Sequence, residues 1–234
     1  MSPKDAGVKN GSLVRASALG AAACALVLSH APAADARQEA QKPAAPAAES
    51  IRRPTVNTMP FVDFARKAKK MFEEGRIGPE TTLDMSASAE LSDSGGFKPE
   101  SVRIQWRTLS NEDAALIAQY FLTAVSQSGI LYGLRGEVKA VTLAVRVDRQ
   151  NVAVDFAGET ASEESAERLA TAYSMLLVAA RASSAGTNEG EMYRSVKFTS
   201  DGRQFKMSLE TPKAAAARWV ADALARREAR EQRR

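Results

Sequence analysis

Polar and apolar residues alternate along this chain with two different periods. Leu83, Met85, Ala87, Ala89 and Leu91 alternate with Asp84, Ser86, Ser88 and Glu90, the two-residue period of a strand with one buried face. A Ser92-Asp93-Ser94-Gly95-Gly96 turn leads to a second strand with Val102, Ile104 and Trp106 on one side. The period then lengthens. Ala114, Ile117, Ala118, Phe121, Leu122 and Val125 recur every three or four residues, as on the buried stripe of a helix. Ser110 with Asp113 reads as a capping-box-like start, and Gly129 as the stop.

The same scheme recurs twice. Val141, Leu143, Val145 and Val147 alternate, Asp148-Arg149-Gln150-Asn151 turns the chain, and Val152, Val154 and Phe156 alternate again. Thr160 with Glu163 then caps a helix bearing Ala166, Leu169, Ala170, Tyr173, Leu177 and Ala180. The third unit has Val196 and Phe198, an Asp201-Gly202 hairpin turn, then Phe205, Met207 and Leu209. Thr211-Pro212 opens a helix with Ala216, Trp219, Val220 and Ala223. An earlier amphipathic helix, Pro60 to Glu74, carries Phe61, Phe64, Ala65, Ala68, Met71 and Phe72 at three- and four-residue spacing, with Thr58 as its cap and Gly75 as its stop. Its basic face (Arg66, Lys67, Lys69, Lys70) reads as solvated rather than lipid-bound.

The expected fold is therefore α+β: a two-layer sandwich with an antiparallel sheet built from three repeated β-β-α units. The helices lie on one sheet face, preceded by the amphipathic helix. The opposite face should be wet, with Asp84, Ser86, Glu90, Arg103, Gln105, Thr142, Arg146, Asp155, Lys197 and Lys206 on it. Stretches 130–136 and 182–191 read as flexible joints, and Trp106 and Trp219 as core. The pattern leaves open whether this is one sheet or two subdomains.

The N-terminus changes the picture most. Lys4, Lys9 and Arg15 precede an apolar run from Ala16 to Leu28, and Ala31-Pro32-Ala33 and Ala34-Asp35-Ala36 offer small-residue cleavage sites. That is the order of a secretory signal, and the run is shorter than the roughly 20 residues a membrane span needs. The expected organisation is a signal over 1–36, an Ala/Pro-rich linker over 37–57, the helix plus first unit over 58–136, the second and third units over 137–228, and a charged tail over 229–234. A single N-terminal membrane anchor is the alternative to cleavage. The protein is expected to be periplasmic or secreted, with peripheral or no membrane contact after cleavage.

The leader holds the chain's one cysteine, Cys24, and one histidine, His30. The mature chain thus lacks thiolate nucleophiles, Ser–His dyads, disulfides, and metal sites built from nitrogen and sulfur ligands. The leader takes three of the 32 Lys/Arg and two of the 28 Asp/Glu, so the mature net charge is +3 and no nucleic-acid footprint is expected. Ser94-Gly95-Gly96 and Gly133-Leu134-Arg135-Gly136 lack the flanks of a phosphate loop and read as turns. Asp93 lacks the alternating carboxylates of a calcium loop. Glu159, Glu163, Glu164 and Glu167 suit a helix start. No catalytic, metal or cofactor residue is expected.

From about Pro60 to Ser128, the order of helix, hairpin with a Gly-containing turn and Ala-rich helix resembles the C-terminal domain of TonB and TolA energy transducers. The matching stretches are Phe61 to Lys67, Ala87 to Gly96, and Ser110 to Gln119. The resemblance implies a periplasmic adapter that docks other envelope proteins by strand addition at a sheet edge. The spacer over 37–55 reaches only about 60 Å even as polyproline II, so the adapter role is carried over and energy transduction is not.

Arg103, Gln105, Arg146 and Arg149 form the candidate partner-binding face, with Arg107 beside them. Cross-strand pairing of these arginines with Asp84, Glu90 and Asp155 is the structural alternative. The functional expectation is a non-catalytic, exported envelope interaction module with envelope proteins as partners. A hydrolase of an envelope polymer using carboxylates such as Asp84, Glu90 and Asp155, and a self-associating structural protein, are the alternatives.

Overall fold

The computed structural model describes residues 57–233. The expected signal with Cys24 and His30, and nearly all of the expected linker, lie outside the described residues. In chain order the elements are α1 (Met59–Glu73), β1 (Leu83–Glu90), β2 (Arg103–Leu109), α2 (Glu112–Gln127), β3 (Val138–Val147), β4 (Asn151–Thr160), α3 (Glu163–Ser183), α4 (Asn188–Ser195), β5 (Val196–Asp201), β6 (Gln204–Pro212) and α5 (Lys213–Glu231). Short 3-10 turns cover Pro99–Ser101 and Ile130–Leu134.

All six strands join one antiparallel sheet in the order β2-β1-β3-β4-β6-β5. Each hairpin is one sequence unit, and β1 pairs with β3 across residue 136, so the sheet is continuous through the point where a subdomain boundary was conceivable. The alternation is what places the core. Met85, Val145, Val154 and Leu209 are successive neighbours across four strands, all essentially inaccessible. At about 1.5–3 kcal/mol per buried side chain, this row is a main source of stability. The helices cover that face. Phe64 of α1 meets Phe121 of α2 with ring centroids 5.7 Å apart, and Tyr173 of α3 sits 5.4 Å from Phe205.

Several local expectations shift. Thr58 does not cap α1 with its side chain; Asn57 Oδ1 accepts the Met59 N–H instead. The α2 cap is Asn111, which accepts from Ala114, while Ser110 Oγ accepts from Thr82 N–H across to the start of β1. The α3 cap is Ser162, not Thr160, whose hydroxyl donates to the Ser162 and Arg203 carbonyls. The two expected joints are structured. Ile130, Leu131 and Leu134 are buried in the 3-10 turn, and α4 begins inside 182–191 and runs on to Ser195, because Thr187 caps it and Met192 and Tyr193 reach the core. The charged tail remains helical through Glu231, which accepts from Arg227 and Arg66.

The Ser92–Gly96 turn is tight. Gly95 has φ +77°, and a Cβ there would lie 2.5 Å from the Tyr132 backbone, so only glycine fits.

Candidate functional site

The register fixes which polar residues share the uncovered face. Arg103, Ser88, Thr142, Ala157, Lys206 and Thr199 form one cross-strand row; Gln105, Ser86, Ala144, Asp155, Ser208 and Lys197 form the next. A third row places Asp84 between Thr108 and Arg146. All ten residues assigned to a wet face therefore lie on that face or at its rim.

The candidate set divides within this frame. Arg103 and Gln105 sit on β2, two residues apart on the open face. Arg146 lies two strands away and faces Asp84 by register. Arg149 is not part of the face: it sits in the β3–β4 turn, with its Nε 3.3 Å from Glu80. Arg103 donates to the Glu100 and Val102 carbonyls. Among the described residues, no ion pair includes Arg103, Arg107 or Arg146.

The carboxylates do not converge. Asp84 and Asp155 lie in different rows on strands separated by β3. Glu90 is engaged by Lys98 at 2.8 Å, which holds its carboxyl below the usual range. Asp201 is lowered in the same way by Lys206 at 2.6 Å. The Asp148 carboxylate is lowered chiefly by the Asn151 and Gln150 backbone N–H groups, which clamp the turn. No group of three or more acidic, His or Cys side chains is placed to hold a metal ion among the described residues.

Edge strand β2 is where the structure departs most from the expected burial. Its residues are exposed throughout apart from the half-buried Ile104. Trp106 faces the helical side, opposite Met85, yet is 37% exposed, and Leu109 is 39% exposed. Trp106 is therefore not core: the helical layer ends over β1 and does not roof β2. Trp219 is core, 4% exposed, with its indole N–H lacking a partner. Near its far end β2 carries a bulge, with Arg107 left between the residues that pair with Asp84 and Met85. The regular stretch Arg103–Trp106 remains open along its outer side.

Lys213 was not singled out by sequence. It is 4% exposed, and its ammonium donates to the carbonyls of Pro79, Thr81 and Asp148 at 2.8, 2.9 and 3.2 Å. Burial lowers its pKa. With all three donors used by backbone carbonyls, it is a tie between the entry to β1, the β3–β4 turn and α5.

The basic side of α1 is largely engaged: Arg66 reaches Glu231, Lys70 reaches Glu74, and Lys67 lies 4.3 Å over the Tyr120 ring. No helix among the described residues is long and apolar enough to cross a membrane.

The architecture is a two-layer α+β sandwich in which the described residues leave one sheet face and the β2 edge strand uncovered. No family model matches the chain, and neither a curated protein nor a solved structure is similar to it.

Proposed function

We propose that this is an exported, non-catalytic protein of the cell envelope that serves as an adapter, capturing an extended segment of another envelope protein on the β2 edge. The observation that carries the reading is β2 itself, an edge strand exposed along its length and displaying Trp106 and Leu109. Strand addition draws on backbone N–H and C=O groups and needs no special chemistry from side chains. Trp106 and Leu109 supply apolar anchors on one side of the added strand, and Arg103 and Gln105 supply polar contacts on the other. Unpaired arginines at this edge favour an acidic segment. The adapter role also follows the pattern resemblance of residues 60–128 to TonB and TolA C-terminal domains that the sequence suggests, and export follows the signal-like order of residues 1–36.

The test is capture from envelope extract by the wild-type chain and by variants with Pro at Arg103, Ile104 or Gln105 in turn. Because N–H groups alternate in direction along a strand, the positions facing away from β1 should abolish capture while leaving the thermal transition intact. Capture that survives Pro at all three positions rules out strand addition here. Export is checked separately by N-terminal sequencing of protein recovered from the envelope fraction, with Arg37 as the expected first residue. An intact Met1 there would overturn cleavage.

A further inference from the structure

The opposite edge, β5, carries a different surface. α3 turns Ala166, Leu169, Ala170, Leu177 and Ala180 to the core, yet Met175 and Val178 remain 68% and 61% exposed on its outer flank. With Phe198, Thr199 and Ser200 of β5 they line an open groove of about 700 Å³. Apolar side chains that a core does not use, placed beside an open strand edge, mark an interaction surface.

The backbone polarity of that edge follows from its hairpin. β5 and β6 are joined by a two-residue turn, Gly202-Arg203, between the paired residues Asp201 and Gln204. The closing pair of such a hairpin is hydrogen-bonded, and bonded pairs alternate from there. Val196, Phe198 and Ser200 therefore direct their N–H and C=O groups away from β6. The Val196 carbonyl is indeed met from that side, by Arg181 Nη2 at 2.9 Å. Among the described residues, nothing meets the outward backbone groups of Phe198 and Ser200.

We infer that this edge joins a second copy of the chain, β5 against β5 of the partner copy, about a two-fold axis through Thr199. Antiparallel pairing centred there sets Phe198 against the partner copy's Ser200, and the reverse, so that the outward-facing backbone groups meet as two hydrogen-bonded pairs. The same register sets Lys197 opposite Asp201 of the other copy on the open face, twice. Lys197 is exposed and has no ion-pair partner among the described residues. Moving the axis to Phe198 or Ser200 keeps the backbone parity but loses both charge pairs, so the charges select Thr199. On the helical side the axis brings the two α3 flanks together over the junction, where Met175 and Val178 lose their exposure. The result is a continuous twelve-stranded sheet with a β2 edge free at each end. It does not depend on the proposed role of β2, since it concerns the other edge and another partner.

Because the leader holds the only cysteine, a Cys24→Ser background turns an introduced thiol into a single probe. Thr199 pairs with its own copy across the axis at a Cα separation of about 4.5 Å, within disulfide reach. Residues 197 and 201 lie about 13 Å from their own copies. Under mild oxidation, Thr199→Cys should form at least about ten times more covalent dimer than Lys197→Cys or Asp201→Cys, since disulfide geometry is strict. In sedimentation, Lys197→Glu should weaken the dimer about tenfold. The triple change Lys197→Glu, Asp201→Lys, Lys206→Glu reverses every sign, keeps the intrachain 201–206 pair and should restore it. A chain that stays monomeric, equal crosslinking at all three positions, or crosslinking through Arg103→Cys on β2 instead would each overturn the inference. The first of these, with an extended peptide bound in the groove, would identify a different occupant. Thr199→Cys in its reduced form should leave envelope capture at β2 unchanged, so the two readings fail separately.

Discussion

The two edges of one sheet are finished differently. β5 lies under α3, so Val196 is inaccessible and Phe198 packs among Tyr173 and Phe205 with ring centroids 5.3 and 5.9 Å away. β2 lies beyond the helices, so Trp106, at an equivalent core-facing position, is partly in solvent. The same alternation in sequence therefore gives a buried aromatic cluster at one end and an uncovered shelf at the other. Facing inward is a property of the strand, but being covered is a property of the layer above it. On the proposed readings, the unroofed edge receives a strand from another protein, and the roofed edge with its spare apolar flank meets a matching edge of a second copy.

The largest expected effect tests the roof. Phe205→Ala, beneath the covered end, should cost about 3–5 kcal/mol in denaturant unfolding. Trp106→Ala should cost roughly half of that or less, because much of its surface is already wet, while removing capture. Equal costs would erase the distinction between the edges.

Next is Lys213→Met, which removes the tie midway between the edges and costs about 1–3 kcal/mol in all, because the three part-buried carbonyls it leaves can turn partly to water. Unfolding should remain a single transition, but at lower denaturant. Its pH dependence has a definite sign. Burial lowers the folded pKa below 10.5, so between that value and 10.5 the unfolded chain binds more protons. Wild-type stability relative to Lys213→Met should therefore rise with pH through that window, and a fall would contradict the burial.

Gly95→Ala should cost at least about 1–2 kcal/mol from the left-handed backbone alone, with a further penalty from the Tyr132 contact. A neutral result would mean that the β1–β2 turn is loose and that β2 is not held in place for docking. The smallest effect is at Asp148, whose lowered carboxyl pKa gives stability that is present above 3.8 and lost as pH falls through the folded value. Asp148→Asn should flatten that acid limb measurably in a pH series of thermal melts.

Most of the architecture was legible because each strand and long helix states its own period. Met85, Val145, Val154 and Leu209 announce one face, and the polar face follows from their neighbours. Caps were displaced by one or two residues because Ser110 and Thr160 serve tertiary hydrogen bonds instead. α4 was missed because only Gly190, Met192 and Tyr193 of its eight residues are buried, too few to show a period. Trp106 was misplaced for the reason given above: a strand's pattern does not record where the helical layer stops. Lys213 gave no signal, since a lysine before an alanine run reads as solvent-facing. Met175 and Val178 did give one, as apolar residues outside the Leu169–Leu177 stripe.

Amide hydrogen exchange on the captured complex tests the central claim most directly. The account predicts new protection concentrated in Arg103–Leu109, with β5 unchanged between free and captured protein at equal concentration. Protection falling instead on the helical face or across the central strands, with β2 exchanging as fast as before, would contradict it.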